Sequence, residues 1–453
     1  MNTEFFPCIL TIAGSDSGGG AGIQADLKTI TVLGGYGLSV LTALTAQNTL
    51  GVQGIHPAPA VFVRQQMDSV TTDFPVRAAK TGMLFSEEII KAVSRGLEGV
   101  SFPVVVDPVC VSQSGDRLLE DGAVKAFKEE MIPKADVLTP NRPEAELLTG
   151  LKISNTEEIS RAAEILLDMG ARAVLLKGGH FESERMCDWL FVPDKKPVCL
   201  EKEKIYTGNT HGTGCTLSAA LATYLGRGIN IQNAVIRAKD FVHMSLRASF
   251  PLGSGQGPVN HLAFQVNSRE CSGIIKKLEN ARDDLCQNTK ISKLVPEVGM
   301  NLAYALPFPE TFEHVAAFDG RIRRTKCGRL LFGCPSFGSS THMAKVLLSA
   351  RKLNVKINCV ANIRFNTDIL EAVERLNLIT AWFDRAQEPQ EIKNREGSTL
   401  EWGTLEALKN HQSPELVRVI ADRGEAGKEP MLRILGEDTL EVIEILRAIA
   451  ELV

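Results

Sequence analysis

Short apolar, β-branched runs alternate with amphipathic stretches along the first 260 residues. "CILTIA" (8–13), "VVVDPV" (104–109), "ADVLTP" (135–140) and "AVLLKG" (173–178) are mostly apolar, as strands buried on both faces are. Between them, "IQADLKTITVLG" (23–34), "EAELLTGL" (144–151) and "TEEISRAAEILLDMG" (156–170) place apolar residues at helical spacing. This alternation predicts a mainly parallel α/β sheet with helices on both faces. "SFPLGSGQGPVNH" (249–261) is rich in Gly, Pro and Ser and breaks the pattern, and a charged amphipathic helix, "SGIIKKLENARDDL" (272–285), follows. We therefore expect one domain over 1–265, a linker over 266–274 and a second, smaller α/β domain over 275–453. The second domain alternates again. Strands are predicted at "RLLFGC" (329–334), "KINCVANIRF" (356–365), "LITAWFDR" (378–385) and "LVRVIADRG" (416–424), and a last helix near 437–452.

Composition narrows the function classes. The 453 residues carry a formal net charge of −4, so no basic excess argues for nucleic acid. No apolar run approaches the roughly 18 residues needed to span a membrane. Ten cysteines are scattered singly with no C-x-x-C pair, which argues against structural zinc and fits a reducing cytoplasm.

The strands of the first half end in functional side chains: Asp107 after "VVV", Asn141 and Glu144 in "TPNRPE", and Lys177, Gly178, Gly179 and His180 in "KGGH". In open α/β sheets ligands bind beyond the carboxyl ends of strands, so these residues point to one composite site. Two glycine loops flank it. "AGSDSGGGAG" places Gly14, Gly18, Gly19, Gly20 and Gly22 within nine positions, yet it fits neither G-x-x-x-x-G-K-[ST] nor G-x-G-x-x-G. It is either a plain turn or a backbone surface lying flat on a small organic ligand. Asp26, one turn into the next helix, either meets that ligand or complements the helix dipole. In "HGTGCTLSAA", Thr213, Gly214 and Cys215 begin a helix, where free N–H groups make an anion site. Cys215 is there either as a thiolate base or as a small packed residue. Asp107, Asn141 and Glu144 are oxygen donors suited to Mg²⁺, though Glu144 also suits a helix first turn. Lys177 is a phosphate contact or a solvated charge. Gln47 offers both a donor and an acceptor to a heterocycle edge.

"TIAGSDSGGGAGIQADLKT", "LTALTAQNTLGV", "AAKTGML", "VVDPV", "LTPNRPEAELL", "LLKGGH" and "HGTGCTLSAALA" occur in this order over roughly residues 5–262. Together they resemble the hydroxymethylpyrimidine/phosphomethylpyrimidine kinases (ThiD), which have a ribokinase-like three-layer α/β/α fold. The resemblance implies a pyrimidine held by Gly14, Asp26, Gln47, Met83 and Val109. It implies an anion hole at Gly212 and Gly214, and Cys215 where most ribokinase relatives carry a catalytic Asp. ATP falls to Asn141, Lys177 and Thr213, and Mg²⁺ to Asp107 and Glu144. Cys110 departs from the pattern, where Met is expected. "DGRIRR", "FGCPSFGSSTHMAKVLL", "ANIRF", "FDRAQEP", "LEWGTLEAL" and "IADRGEAGKEPML" resemble a ThiN domain over roughly 275–453. That resemblance implies condensation of the pyrimidine diphosphate with thiazole phosphate to thiamine phosphate and pyrophosphate. Arg321 and His342 are its expected catalytic residues. Arg323, Ser339, Ser340 and Lys428, with Gly424 and Gly427, are the expected phosphate contacts. A homodimer is expected by analogy with ribokinase-like chains. The expected ligands are small molecules, with neither nucleic acid nor a membrane as partner. A kinase acting on a pyridoxal-type alcohol, or one fused to a non-catalytic thiamine-phosphate sensor, is the alternative reading.

Overall fold

The computed structural model describes residues 6–110, 119–120, 122–178, 185–393, 399–425 and 428–453. The chain forms two compact units, Met1–Phe264 and Gln265–Val453. The range 266–274, expected as a linker, lies inside a continuous helix, Ala263–Gln287.

The first unit is built on a nine-stranded sheet. Its strands are β1 (Cys8–Asp16), β2 (Tyr36–Asn48), β3 (Gly51–Pro57), β4 (Val76–Thr81), β5 (Val104–Val106), β6 (Val137–Leu138), β7 (Val174–Lys177), β8 (Arg185–Phe191) and β9 (Val198–Glu203). Their order is β3-β2-β1-β4-β5-β6-β7-β8-β9. The six inner strands pair in parallel, and β3, β8 and β9 are antiparallel additions at the edges. Alternation along each strand sends successive residues to opposite faces. Leu10, Ile12, Ala79, Val104, Val106 and Leu176 face one core, with the helices Ala60–Asp73, Glu87–Gly96 and Thr156–Asp168. Ile9, Ala78, Val105, Val137 and Leu175 face the other, with Gly22–Val32, Thr213–Gly226 and Ile231–Arg247. This is the three-layer α/β/α sandwich expected. The parallel strands all point their carboxyl ends to one edge, which gathers the polar residues that follow them. On β8 and β9, Cys187 and Cys199 are joined as a disulfide, a pair that the scattered spacing did not suggest.

The second unit holds β10 (Leu302–Ala305), β11 (Val315–Phe318), β12 (Arg323–Arg324), β13 (Leu330–Leu331), β14 (Pro335–Phe337), β15 (Cys359–Arg364), β16 (Thr380–Trp382), β17 (Val419–Asp422) and β18 (Met431–Gly436). Seven of them form a sheet ordered β14-β11-β10-β15-β18-β17-β16, antiparallel except for β16 with β17. The helices Thr367–Arg375 and Thr439–Leu452 cover one face, and Thr341–Leu353 and Thr399–Lys409 the other. The strand expected over 329–334 shrinks to Leu330–Leu331, paired with β12 as a separate hairpin. Gly333 explains the break: a Cβ there would lie 2.0 Å from the Asp319 carbonyl oxygen, so the chain passes too close to its neighbour for a regular strand. No helix among the described residues is long and apolar enough to cross a membrane.

Candidate active site

In the first unit the opening glycine loop folds against the second one. Asp16 ends β1. Its carboxylate accepts from the backbone N–H groups of Gly18, Gly20 and Ala21 at 2.8, 3.0 and 2.8 Å. It also bonds His211 Nε2 at 2.9 Å, 195 residues away in the chain. Burial works against the Asp16 charge, but the His211 bond and the backbone donors hold its pKa below the ordinary carboxylate value. The two loops nearly touch. A Cβ on Gly20 would lie 2.3 Å from His211 Cδ2, and one on Gly212 would lie 1.8 Å from the Gly20 oxygen. Gly212 also takes the left-handed conformation, φ +82°, as the residue before the helix Thr213–Gly226. The glycines thus serve loop-on-loop packing as well as any ligand, and Asp16 and His211 join the site although sequence reasoning gave Asp16 no role. Ser17 fastens the same loop to β2 through the backbone of Gln47, 2.8 Å each way.

The expected pyrimidine residues divide into two groups. Gly14 lies beside Met83: a Cβ there would be 3.2 Å from the Met83 sulfur. Met83 and Val109 share a small apolar patch with Ala43. Gln47 is half-buried. Its Oε1 accepts from Thr45 at 3.1 Å, and its amide nitrogen has no partner among the described residues. Asp26 differs from expectation. It is wholly buried, accepts from Thr11 Oγ1 at 2.6 Å and forms an ion pair with Lys80 at 3.0 Å. Its charge is therefore committed inside the protein rather than presented to a ring edge. Lys80 went unread within "AAKTGML", although a lysine in a buried strand requires such a partner. Burial disfavours its charge, but Asp26 more than compensates and holds Lys80 protonated.

The phosphate side is compact. Asp107 follows β5 and accepts from Thr139 Oγ1 at 3.0 Å and from Lys177 Nζ at 3.1 Å. A Cβ on Gly214 would lie 3.6 Å from both Asp107 Oδ2 and Lys177 Nζ, so the helix start bearing Thr213 abuts this pair. Asn141 and Glu144 form a capping box on the helix Arg142–Thr149. Asn141 Oδ1 accepts from the Glu144 N–H at 2.9 Å, and Glu144 Oε2 from the Asn141 N–H at 2.8 Å. Burial raises the Glu144 pKa, Lys177 opposes this and Asp107 adds to it, so the three groups share one electrostatic environment. The Cys215 thiol is pushed up to about 11, chiefly by burial, while Lys80 and the Gly22 N–H work the other way. Of the two readings open from sequence, a thiolate base or a small packed residue, this environment favours a neutral thiol at neutral pH. Cys110, buried and donating to the Pro108 oxygen, is a packed thiol. Gly179 and His180 lie outside the described residues.

The second unit has a cavity of about 380 Å³, lined among others by Asn301, Arg321, Ser340, His342, Asn362, Arg385, Lys428 and Arg433. Ser340 caps the helix Thr341–Leu353, accepting from the Met343 N–H. Arg321, at φ +67°, donates to the Val298 oxygen at 2.6 Å. Desolvation, then the charges of Arg321, Lys345 and Arg433, keep the His342 imidazole below its usual pKa, hence neutral at pH 7. Arg323 and Ser339 lie outside the lining: Arg323 sits in the β12–β13 hairpin, and Ser339 bonds the Ser336 oxygen. Gly427 is outside the described residues. Gly424, at φ +72°, donates its N–H to Asp422. Arg385, Asp422 and Arg433 were not singled out from sequence. Arg385 and Asp422 stand in "FDRAQEP" and "IADRGEAG", where charges end apolar strands, whereas Arg433 lies inside the apolar run "MLRILG" (431–436) with no such signal. Among the described residues no cluster of three His, Cys, Asp or Glu side chains is placed to hold a metal.

The fold, with a glycine-rich helix start beside a buried Asp–Lys pair at the strand ends, defines a ribokinase-like kinase domain in the first unit. Residues 16–260 match the phosphomethylpyrimidine kinase family and residues 277–448 match the thiamine-phosphate synthase ThiN family. The chain belongs to the phosphomethylpyrimidine kinase family, and couples that domain of thiamine biosynthesis to a ThiN domain. A hydroxymethylpyrimidine/phosphomethylpyrimidine kinase of Haemophilus influenzae is 46% identical over 260 residues, covering 56% of this chain and 97% of its own. The thiamine biosynthesis bifunctional protein ThiED of Geobacter sulfurreducens is 53% identical over 263 residues, 58% of this chain; the match spans only 54% of that protein. Among solved structures, a Bacillus subtilis pyridoxal kinase in complex with ADP is similar at 36% identity and TM-score 0.54, over 58% of this chain and 99% of its own.

Proposed function

We propose that the first unit phosphorylates 4-amino-5-hydroxymethyl-2-methylpyrimidine and then its monophosphate from ATP. The second unit then joins the resulting diphosphate to thiazole phosphate, forming thiamine phosphate and releasing pyrophosphate. The observation that carries the kinase half is the position of Gly214, 3.6 Å from both Asp107 and Lys177 as measured from a Cβ built there. A phosphoryl group at this helix start meets first-turn N–H groups and a lysine together. The acceptor alcohol rests on Gly14, Met83 and Val109, with the unpaired amide nitrogen of Gln47 toward its ring. The buried Asp26–Lys80 pair lies beneath as support. Cys215, neutral at pH 7, completes the anion hole as a donor rather than serving as a thiolate base. Asp107 and Glu144 fit Mg²⁺, which takes one or two carboxylates and fills its remaining positions with water and phosphate. Bound there, the ion neutralises phosphate charge; this chain supplies the two carboxylates and Lys177. Asn141 and Thr213 border the nucleotide. In the second unit neutral His342, flanked by Arg321, orients the departing pyrophosphate and donates a hydrogen bond to it through its ring N–H. The protein is cytoplasmic and dimeric in this reading.

A coupled assay tests the whole scheme: hydroxymethylpyrimidine, ATP, Mg²⁺ and thiazole phosphate go in, and thiamine phosphate is measured. Product from the intact chain is expected. Diphosphate accumulation with thiamine phosphate bound but never formed would leave a kinase fused to a sensor. The likeness to a pyridoxal kinase supports a second acceptor, and competition between the two alcohols for ATP turnover decides between them. Gln47→Ala is expected to raise the KM for the pyrimidine about tenfold.

A further inference from the structure

The cavity of the second unit has an unusual wall. Arg385 donates to Asp422 through Nε at 2.7 Å and Nη2 at 3.3 Å, and Arg433 donates to the same carboxylate through Nη1 at 2.8 Å. All three residues are buried, with Asp422 completely so. Both guanidinium groups also lie over the ring of Phe383, 5.8 and 5.6 Å from its centroid. Phe383 is itself wedged in place: Trp402 packs edge-on to it, and a Cβ on Gly403 would lie 2.4 Å from its ring. Two arginines are thus held rigidly by one carboxylate and one aromatic platform. The trio keeps one positive charge that its own members do not neutralise. Arg385 Nη1 and two of the three Arg433 nitrogens, Nε and Nη2, make no hydrogen bond among the described residues, and both side chains line the cavity.

Buried charge without a partner is costly, so a protein keeps it where a ligand completes it. Arg321 and Lys428 also line the cavity, as does Glu429, whose carboxylate accepts from the N–H groups of Glu297 and Val298. Counting Asp422 behind the wall and Glu425, which pairs with Lys428 at 3.7 Å, four cations stand against three carboxylates, which leaves a surplus of one positive charge. The three guanidinium nitrogens without a partner among the described residues, Arg385 Nη1 and Arg433 Nε and Nη2, offer donors to the oxygens of more than one phosphoryl group.

We propose that Arg385 and Arg433, aligned by Asp422 and Phe383, form the diphosphate subsite of the second unit. This rests on the synthase reading above. The pair holds the diphosphate of the pyrimidine substrate and the pyrophosphate that leaves. As the methylene C–O bond breaks, its electron pair passes to the diphosphate oxygen, and the new C–N bond to the thiazole nitrogen forms. Rigid guanidinium donors meet the charge that develops on that oxygen.

The test uses the full chain. Calorimetric titration with inorganic pyrophosphate, in the presence of saturating ATP analogue to occupy the kinase site, measures the subsite without turnover. Arg433→Gln and Arg385→Gln are expected to weaken pyrophosphate at least about tenfold, and to raise the KM for the pyrimidine diphosphate similarly with little change in that for thiazole phosphate. Arg433→Lys is expected to recover part of the affinity, because it keeps the charge and loses the fork. Kinase turnover and the unfolding midpoint report folding in every variant. Unchanged pyrophosphate affinity in well-folded variants would overturn the assignment. So would a rise confined to the thiazole phosphate KM, which would make the pair a monophosphate subsite. If the chain binds pyrophosphate through these arginines but forms no thiamine phosphate, the subsite stands and the synthase reading fails.

Discussion

At the scale of single residues, environment decides what each group does. Cys215 begins a helix, where the dipole favours a thiolate, yet burial wins and pushes its pKa up to about 11. Iodoacetamide should therefore alkylate Cys215 at pH 7.5 at least tenfold more slowly than the exposed Cys286, Cys327 and Cys334, with a rate that climbs toward pH 11. Peptide mass spectrometry of a time course measures this, and rapid labelling near neutrality would restore the thiolate base. Asp16 shows the opposite balance. Its native pKa lies below the ordinary 3.8, so its ionised form stabilises the fold. That contribution is complete above the unfolded value and is lost as pH falls through the native one. Asp16→Asn is expected to cost about 1–3 kcal/mol at pH 7, and the gap to wild type should narrow below pH 3.8. Urea melts at pH 7 and pH 3 check both the size and the direction.

At the scale of elements, three helices of the first unit start on asparagine caps, and two of them accept at the same distance. Asn141 opens Arg142–Thr149 and Asn155 opens Thr156–Asp168, each accepting an N–H at 2.9 Å. Alanine at either position should lower stability by about 1 kcal/mol. Only Asn141→Ala should also raise the KM for ATP, because its helix starts where Lys177 and Asp107 meet; equal KM values in the two variants would reduce Asn141 to a cap. The periodic elements were legible from sequence for a physical reason. β1, β7 and the helices of 22–32 and 156–168 follow patterns set by burial of a whole face. The inner strands β2 and β4 were not predicted either, and the edge strands β3, β8 and β9 escaped notice because half-exposed antiparallel strands carry no unbroken apolar run. In the site, Gly214, Asp107 and Lys177 were legible because each ends a strand or begins a helix. Lys80, Arg385 and Arg433 were not, since a buried charge is recognisable only through a partner distant in sequence: Lys80 lies 54 residues from Asp26, and Arg385 lies 37 from Asp422.

At the scale of the whole molecule, two cores are completed separately, and the Haemophilus kinase corresponds to the first unit almost end to end. Residues 1–262 expressed alone should fold and keep the kinase rate within about twofold, as steady-state assay beside the full chain would reveal. A cut near 270 should do worse, because it severs the helix Ala263–Gln287 within its first turns. Loops ordinarily vary in length among relatives, since water satisfies whatever they expose. The clip between Asp16 and His211 removes that freedom from two loops at once. With Gly20 pressed on Gly212, a residue inserted anywhere in 17–21 has nowhere to go unless 211–212 retreats in step. Insertions and deletions should therefore be absent from this pair of loops across the family or occur in both together, and the two segments should be inherited as one matched part.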